Sequence, residues 1–247
     1  MGNKRWRIIL GAALVAASAA LYFVHFLIFR DVHHIFIYLI GDIAFLPLEV
    51  LLVTMVLHQL LEQRSRRALL HKLNMVIGAF FAETGTELLG RLGAFDSVVD
   101  EVRDNLVPDA TWNDRQFASA RSAVAAHEFE VDASRSDLVA LHAYLAGQRP
   151  FLLRLLENQN LLEHQSFTDT LWAVFHLTDE LGHREDLATL PDSDVAHLSG
   201  DIKRAYALLA SEWLAHLQHL KVNYPYLFSL AVRTNPFDSK ARVEVTS

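Results

Sequence analysis

The stretch IYLIGDIAFLPLEVLL, Ile37 to Leu52, combines a membrane-like run of apolar side chains with two carboxylates, Asp42 and Glu49. It lies within a run of 23 residues, 35–57, that contains no other Asp, Glu, Lys or Arg. An earlier run, 8–29, has 22 residues and none of these four types. About 20 apolar residues in a helix span the hydrocarbon core of a bilayer. Each run therefore predicts a transmembrane helix, and the five intervening residues, RDVHH, predict a tight hairpin.

The first run can also be interpreted as a signal peptide, because basic residues precede it and Ala17–Ala19 is similar to a cleavage site. However, the apolar stretch continues through LYFVHFLIF, which makes it longer than the apolar core of a usual signal peptide. We therefore expect an uncleaved membrane anchor.

The distribution of basic residues predicts the orientation of the hairpin. The basic side chains that flank the two runs are Lys4, Arg5, Arg7, Arg64, Arg66, Arg67 and Lys72. Arg30, beside Asp31, is the only Lys or Arg in the loop between the two runs. Because Lys and Arg concentrate on the cytoplasmic side, both termini are expected in the cytoplasm at an inner or plasma membrane. Residues 59–77, which contain the second group of basic side chains, are then predicted to form a juxtamembrane helix. Its Arg64, Arg66 and Arg67 are predicted to contact lipid headgroups.

The two carboxylates are the candidate functional residues of the predicted hairpin. Asp42 and Glu49 are seven residues apart, which puts them on one helical face about 10 Å apart along the axis. Three interpretations stay open. Asp42 pairs with His25 of the first helix while Glu49 stays neutral, both acids line a cation pathway, or both handle protons. A two-helix hairpin has little interior for two acids, which favours a homo-oligomer.

Charge and composition restrict the function of the remaining chain. The formal net charge is −7, and from Val76 onward 14 basic and 25 acidic residues give −11. An acidic domain of this kind argues against nucleic acid as a partner and is compatible with a protein partner. The chain has no cysteine, which excludes disulfides and thiol catalysis. We find no phosphate-binding loop and no nucleophile elbow, so we predict no enzyme, no catalytic residue and no cofactor.

Residues 78–232 predict a cytosolic helical bundle, followed by a flexible tail at 233–247. The predicted helices are 96–106, 113–128, 136–146, 150–158, 166–181 and 192–223. The last of these carries apolar residues every eleven positions, which gives one straight apolar stripe. The preceding segment, GAFFAETGTELLGRLGAF, is interpreted either as a buried helix or as a membrane-surface segment.

The sequence does not predict a metal site. Glu180 and His183 have the Glu-x-x-His spacing of carboxylate-bridged di-iron bundles, but a second such pair is missing. His176, on the apolar side of its helix, is expected to be a core histidine.

The sequence thus predicts an all-α protein with an N-terminal two-helix transmembrane hairpin and a cytosolic helical bundle. The function that fits best is an oligomeric cation channel, with Asp42 and Glu49 along the pathway and the cytosolic domain in assembly or gating. The alternative is a membrane-anchored adaptor that docks a partner protein. No family is identified from the sequence.

Overall fold

The connection between the first two helices is shorter than the five residues predicted. The computed structural model describes residues 2–158, 161 and 164–244, without the side chains of residues 2–4, 34, 66–68 and 71, and places only Arg30 and Asp31 between the helices. Arg30 has a φ of 49°, a left-handed conformation that costs about 1 kcal/mol for a residue with a Cβ. Its N–H donates to the Phe26 carbonyl at 2.8 Å. Asp31 Oδ1 accepts from the His33 N–H at 2.9 Å, which satisfies a free donor at the start of the second helix.

The described residues fold into α-helices, which confirms the predicted all-α class. Among them no β-strand forms, and β-type pairing is limited to a bridge between Asp96 and Val131. The helices are α1 (Gly2–Phe29), α2 (Val32–Phe80), α3 (Thr86–Gly93), α4 (Val99–Leu106), α5 (Asp114–Ala126), α6 (Leu138–Leu156), α7 (Gln165–Gly182), α8 (Asp192–Asn223) and α9 (Pro225–Arg233). A π-helical turn, Phe81–Gly85, precedes α3, and a 3₁₀ turn, Ala133–Arg135, precedes α6.

The chain divides into two compact units, an N-terminal unit, Met1–Arg66, and a helical domain, Arg67–Ser247. The N-terminal unit contains two helical segments long and apolar enough to cross a membrane, Arg5–Phe29 and Ile35–Ser65. None of the residues in their most apolar windows is buried. Most described side chains of these two apolar helices are therefore exposed.

The core of the helical domain is built around α8. The predicted stripe, whose apolar residues recur every eleven positions, is buried along its length. Only Val195 and Tyr224, at its two ends, are partly exposed. Helices α3, α5, α7 and α9 pack against α8. Because one long helix supplies a face to each neighbour, the core is continuous rather than split into smaller clusters.

The helical domain extends beyond its predicted limits at both ends. Leu73 and Ile77, expected in the basic juxtamembrane helix, are buried in the core, because their spacing puts them on one face of α2. Within the predicted flexible tail, Asn235 and Phe237 are also buried. Asn235 Nδ2 donates to the Leu106 carbonyl at 2.8 Å, and its Oδ1 accepts from the Phe237 N–H at 2.9 Å. These contacts hold the first part of the tail against the domain.

The predicted helices 136–146 and 150–158 are one helix in the structure. Pro150 lies inside α6 instead of starting a new helix. A proline removes one hydrogen bond of the helix and strains the preceding turn. Leu141 and Leu145 before it and Leu152 after it are all buried in the same core, and this burial stabilises the helix across the proline.

Within the segment GAFFAETG, Phe81–Gly85 form a π-helical turn in which Phe81, Thr84 and Gly85 are buried, and this favours the buried interpretation. The wider turn lets the consecutive side chains of Phe80 and Phe81 both enter the core, with 0% and 1% exposure. Gly85 is essential to this packing. A Cβ on Gly85 would lie 2.6 Å from Cε1 of Phe80 and 2.7 Å from Cδ1 of Phe81.

Replacing Gly85 with alanine is expected to lower the free energy of unfolding by about 1–3 kcal/mol, because the added methyl group overpacks both rings. The matched control is Gly147→Ala on α6, where no atom lies within 4 Å of the added Cβ. That change should raise stability by about 0.5–1 kcal/mol through helix propensity alone. Urea unfolding of the full chain in an uncharged detergent measures both. Changes of the same sign in the two variants would contradict the packing of the turn.

Candidate functional site

The predicted carboxylates lie on the exposed surface of the N-terminal unit. Both Asp42 and Glu49 are exposed on α2. Asp42 Oδ2 accepts a hydrogen bond from the Tyr22 hydroxyl at 3.3 Å, and pairing of Asp42 with His25, one of the three open interpretations, stays a prediction. Tyr22 and His25 are three residues apart on one side of α1, and the His25 ring also packs on Phe29 with ring centroids 4.7 Å apart. A hydrogen bond from the Tyr22 hydroxyl therefore links α1 to Asp42 on α2.

The predicted headgroup-binding arginines are only partly described. Arg64 is exposed on α2, whereas the side chains of Arg66 and Arg67 lie outside the described part of the structure. Contact between these three residues and lipid stays a prediction.

An apolar cavity of about 810 Å³ opens in the helical domain, between the π-helical turn with α3 on one side and α8 with α9 on the other. Its apolar walls come from Phe81, Ala82, Trp213, Leu220, Leu227 and Leu230. Sites for small molecules typically enclose roughly 300–1,000 Å³ and are mainly apolar. The cavity therefore has the size and lining of a small-molecule site.

Two ring nitrogens in the cavity wall have unused hydrogen-bonding capacity. Trp213 Nε1 and His216 Nδ1 are buried, and neither has a hydrogen-bond partner among the described residues. The His216 ring stacks on Phe81 with centroids 4.9 Å apart. Burial lowers the pKa of His216 to about 4, and nearby His219 contributes, so His216 is neutral at pH 7. A buried polar group without a hydrogen-bond partner costs about 1–3 kcal/mol.

The rim of the cavity is acidic. Arg91 forms an ion pair with Glu87 at 2.6 Å and lies over the Tyr144 ring, 4.5 Å from its centroid. Glu83, also on the rim, is exposed and forms no ion pair with the residues that the structure describes. Burial raises the pKa of Tyr144 to about 12, and the charges of Glu87 and Glu83 add to this effect. The rim thus keeps one uncompensated negative charge.

Sequence reasoning missed this cavity, although part of its signal is visible. Consecutive phenylalanines followed by Gly85 mark a tight packing site in GAFFAETG. However, the opposite wall comes from α8 and α9, more than 120 residues later in the chain. A single sequence gives no pairing between segments that far apart.

Comparison with known proteins assigns both parts of the chain to one family. A family model described as "MJ1433, N-terminal helical domain" matches residues 2–61, and one described as "Uncharacterized protein MJ1433, C-terminal helical domain" matches residues 69–233. This division agrees with the unit boundary between Arg66 and Arg67. A protein of Methanocaldococcus jannaschii described as "Uncharacterized protein MJ1433" is 45% identical over 241 residues, which cover 98% of this chain and 97% of that protein. No solved structure matches the chain. The chain therefore belongs to the MJ1433 family, in which an N-terminal helical domain precedes a C-terminal helical domain.

Proposed function

We propose that the protein is an integral membrane protein, anchored by α1 and the first part of α2, whose helical domain is a cytosolic binding module. The proposal rests on the uncovered apolar surface of the N-terminal unit, where side chains such as Ile8, Leu21 and Ile40 are 67–70% exposed. Leaving one such side chain in water costs about 1.5–3 kcal/mol relative to burial. A core helix of a soluble protein would cover these groups with protein, whereas a bilayer covers them with lipid.

The basic residues that flank the apolar segments support a cytoplasmic position for both termini. The sole basic residue of the connection, Arg30, lies beside Asp31. The outer flanks have seven basic residues and, up to Met75, one acidic residue, Glu62.

Because the natural chain has no cysteine, single-cysteine variants can test this topology without background labelling. His33→Cys places a thiol at an exposed position in the first turn of α2, next to the connection, and Ser239→Cys places one in the exposed C-terminal segment. In intact cells, a membrane-impermeant maleimide should label the His33 variant and not the Ser239 variant. Both should react after the membrane is permeabilised. Labelling of the Ser239 variant in intact cells, or recovery of the protein in the soluble fraction, would contradict the proposal.

The ligand that best fits the binding module is an apolar small molecule with one positive charge. The apolar walls accommodate its body, and the uncompensated charge of Glu83 at the rim attracts its cationic group. The adaptor interpretation, in which a partner protein docks, stays the alternative. The proposal includes no catalysis.

Tetraphenylphosphonium is a suitable probe of the cavity. Equilibrium dialysis with the full chain in an uncharged detergent should detect saturable binding above that of the micelles alone. Ala82→Trp, which fills the cavity from an exposed position, should weaken binding at least tenfold, and Glu83→Gln should weaken it about fivefold. The control Ala146→Trp adds the same side chain at an exposed site on α6 outside the cavity wall. Equal binding to the wild type and Ala82→Trp would exclude this site.

The second candidate function is a cation pathway, which the positions of Asp42 and Glu49 support. Both acids are exposed on the apolar part of α2, where contact with acyl chains would be costly for a charged group. Copies of the hairpin that surround a water-filled axis would shelter both acids and form two acidic rings. The hydrogen bond from Tyr22 would then fix the rotamer of Asp42.

Potassium and calcium flux into liposomes that contain the purified chain tests this pathway. Asp42→Asn and Glu49→Gln should each lower flux at least tenfold, because each removes one acidic ring. Glu62→Gln removes an exposed carboxylate from α2 beyond the predicted span and should leave flux unchanged. A monomer in detergent, or equal flux in all variants, would argue against the pathway.

A further inference from the structure

Two histidines and two carboxylates converge where α7 packs against α8. His176 and Glu180 lie one turn apart on α7, and His197 and Asp201 lie one turn apart on α8. The Nε2 atom of His176 is 3.7 Å from Glu180 Oε1 and 3.5 Å from Asp201 Oδ2. The Nε2 atom of His197 is 3.5 Å from Glu180 Oε2 and 3.3 Å from Asp201 Oδ2. Each carboxylate therefore faces both imidazole rings.

The four distances are longer than hydrogen bonds between charged groups, which are about 2.7–2.9 Å. They agree with the spacing of ligands around a metal ion. In a tetrahedral zinc site with bonds of about 2.0–2.1 Å, neighbouring ligand atoms are about 3.3–3.4 Å apart. His176, Glu180 and Asp201 each place a donor atom within 4.8 Å of the other two. His197 lies beside this group, with Nε2 3.5 Å from Glu180 Oε2 and 3.3 Å from Asp201 Oδ2.

Asp201 provides an independent indication that a cation binds here. Its side chain is only 4% exposed, and Oδ1 accepts from the Arg204 guanidinium at 3.0 Å. The other oxygen, Oδ2, is buried without a hydrogen-bond partner among the described residues. A buried carboxylate oxygen is costly unless a donor or a cation compensates it. This oxygen is the atom that lies between the two Nε2 atoms.

Arginine side chains hold both carboxylates in place. Arg184 donates to Glu180 Oε2 at 2.9 Å and is itself fixed by Asp194 at 2.6 Å. Hydrogen bonds of this kind orient metal ligands and affect affinity. The histidine side chains are 47% and 53% exposed, which leaves a path by which an ion can enter from solvent.

We infer that His176, Glu180, His197 and Asp201 bind a divalent transition metal and thereby clamp α7 to α8. Zn²⁺ fits best, because imidazole nitrogens and carboxylate oxygens are a ligand set that zinc accepts. The inference does not depend on the proposed membrane role or on the cavity.

The structure and the sequence pattern select different histidines. The Glu-x-x-His spacing pairs Glu180 with His183, but His183 Nδ1 lies 2.6 Å from the Asp179 carbonyl oxygen of its own helix. Glu180 instead faces His176, which was expected in the core and is half-exposed. His183 is therefore a matched control, because it is an exposed histidine of the same segment outside the cluster.

The test uses the metal-stripped full chain in an uncharged detergent, with Zn²⁺ titrated against a chromophoric chelator. We expect one Zn²⁺ per chain and a higher thermal midpoint when Zn²⁺ is bound. His176→Ala and Asp201→Asn should each weaken binding about 100-fold and abolish the increase in the midpoint. His183→Ala should bind as the wild type does. Bound Co²⁺ should give the intense visible absorption of tetrahedral coordination.

Circular dichroism without metal shows whether each variant folds. His176→Ala removes a half-exposed side chain, so it tests the site even if Asp201→Asn fails to fold. Absence of stoichiometric Zn²⁺ binding to the wild type would overturn the inference. Equal losses in His176→Ala and His183→Ala would also overturn it, because the ion would then be held adventitiously by surface histidines.

Discussion

Burial of the apolar stripe of α8 is the interaction on which the helical domain depends, because α3, α5, α7 and α9 all pack against this one helix. Tyr206 and Trp213, which lie along the stripe, are almost completely buried. A fully buried large apolar side chain contributes about 1.5–3 kcal/mol relative to exposure, so the stripe outweighs any single polar contact in the domain. Loss of register along α8 would disturb each neighbouring helix at the same time.

The same helix positions both candidate sites of the domain. Near its N-terminus, α8 carries His197 and Asp201 next to the stripe, where α7 brings in the facing histidine and glutamate. Nearer its C-terminus, Trp213 and His216 form the cavity wall opposite the π-helical turn. Because one rigid helix holds both sets, the packing that stabilises the domain also fixes the geometry of its polar groups. This placement buries Asp201, Trp213 and His216. One side-chain atom of each has no hydrogen-bond partner among the described residues.

How far the sequence could predict this protein depended on the range of the interactions involved. The predicted bounds of α8, 192–223, are confirmed, because prolines flank the helix and an eleven-residue repeat fills it. The helix break near Pro150 was wrong, because burial of leucines on both sides outweighs the local effect of a proline. His176, expected to be a core histidine, is half-exposed and faces Glu180. The spacing of residues along α7 does not reveal which side chains of α8 lie opposite them. These contacts between α7 and α8 determine which face of α7 is polar.

The carboxylates of α2 present a different physical problem, because no described protein group covers them apart from the hydroxyl of Tyr22 near Asp42. In water this exposure would cost little, but the surrounding side chains are apolar and equally uncovered. An apolar environment that covers these side chains therefore disfavours the charged carboxylates unless polar groups or water surround them. A single hairpin supplies one neutral hydrogen bond for two carboxylates. The two carboxylates must otherwise be protonated, be hydrated, or be covered by further copies of the chain. Hydration together with further copies is the condition for a cation pathway.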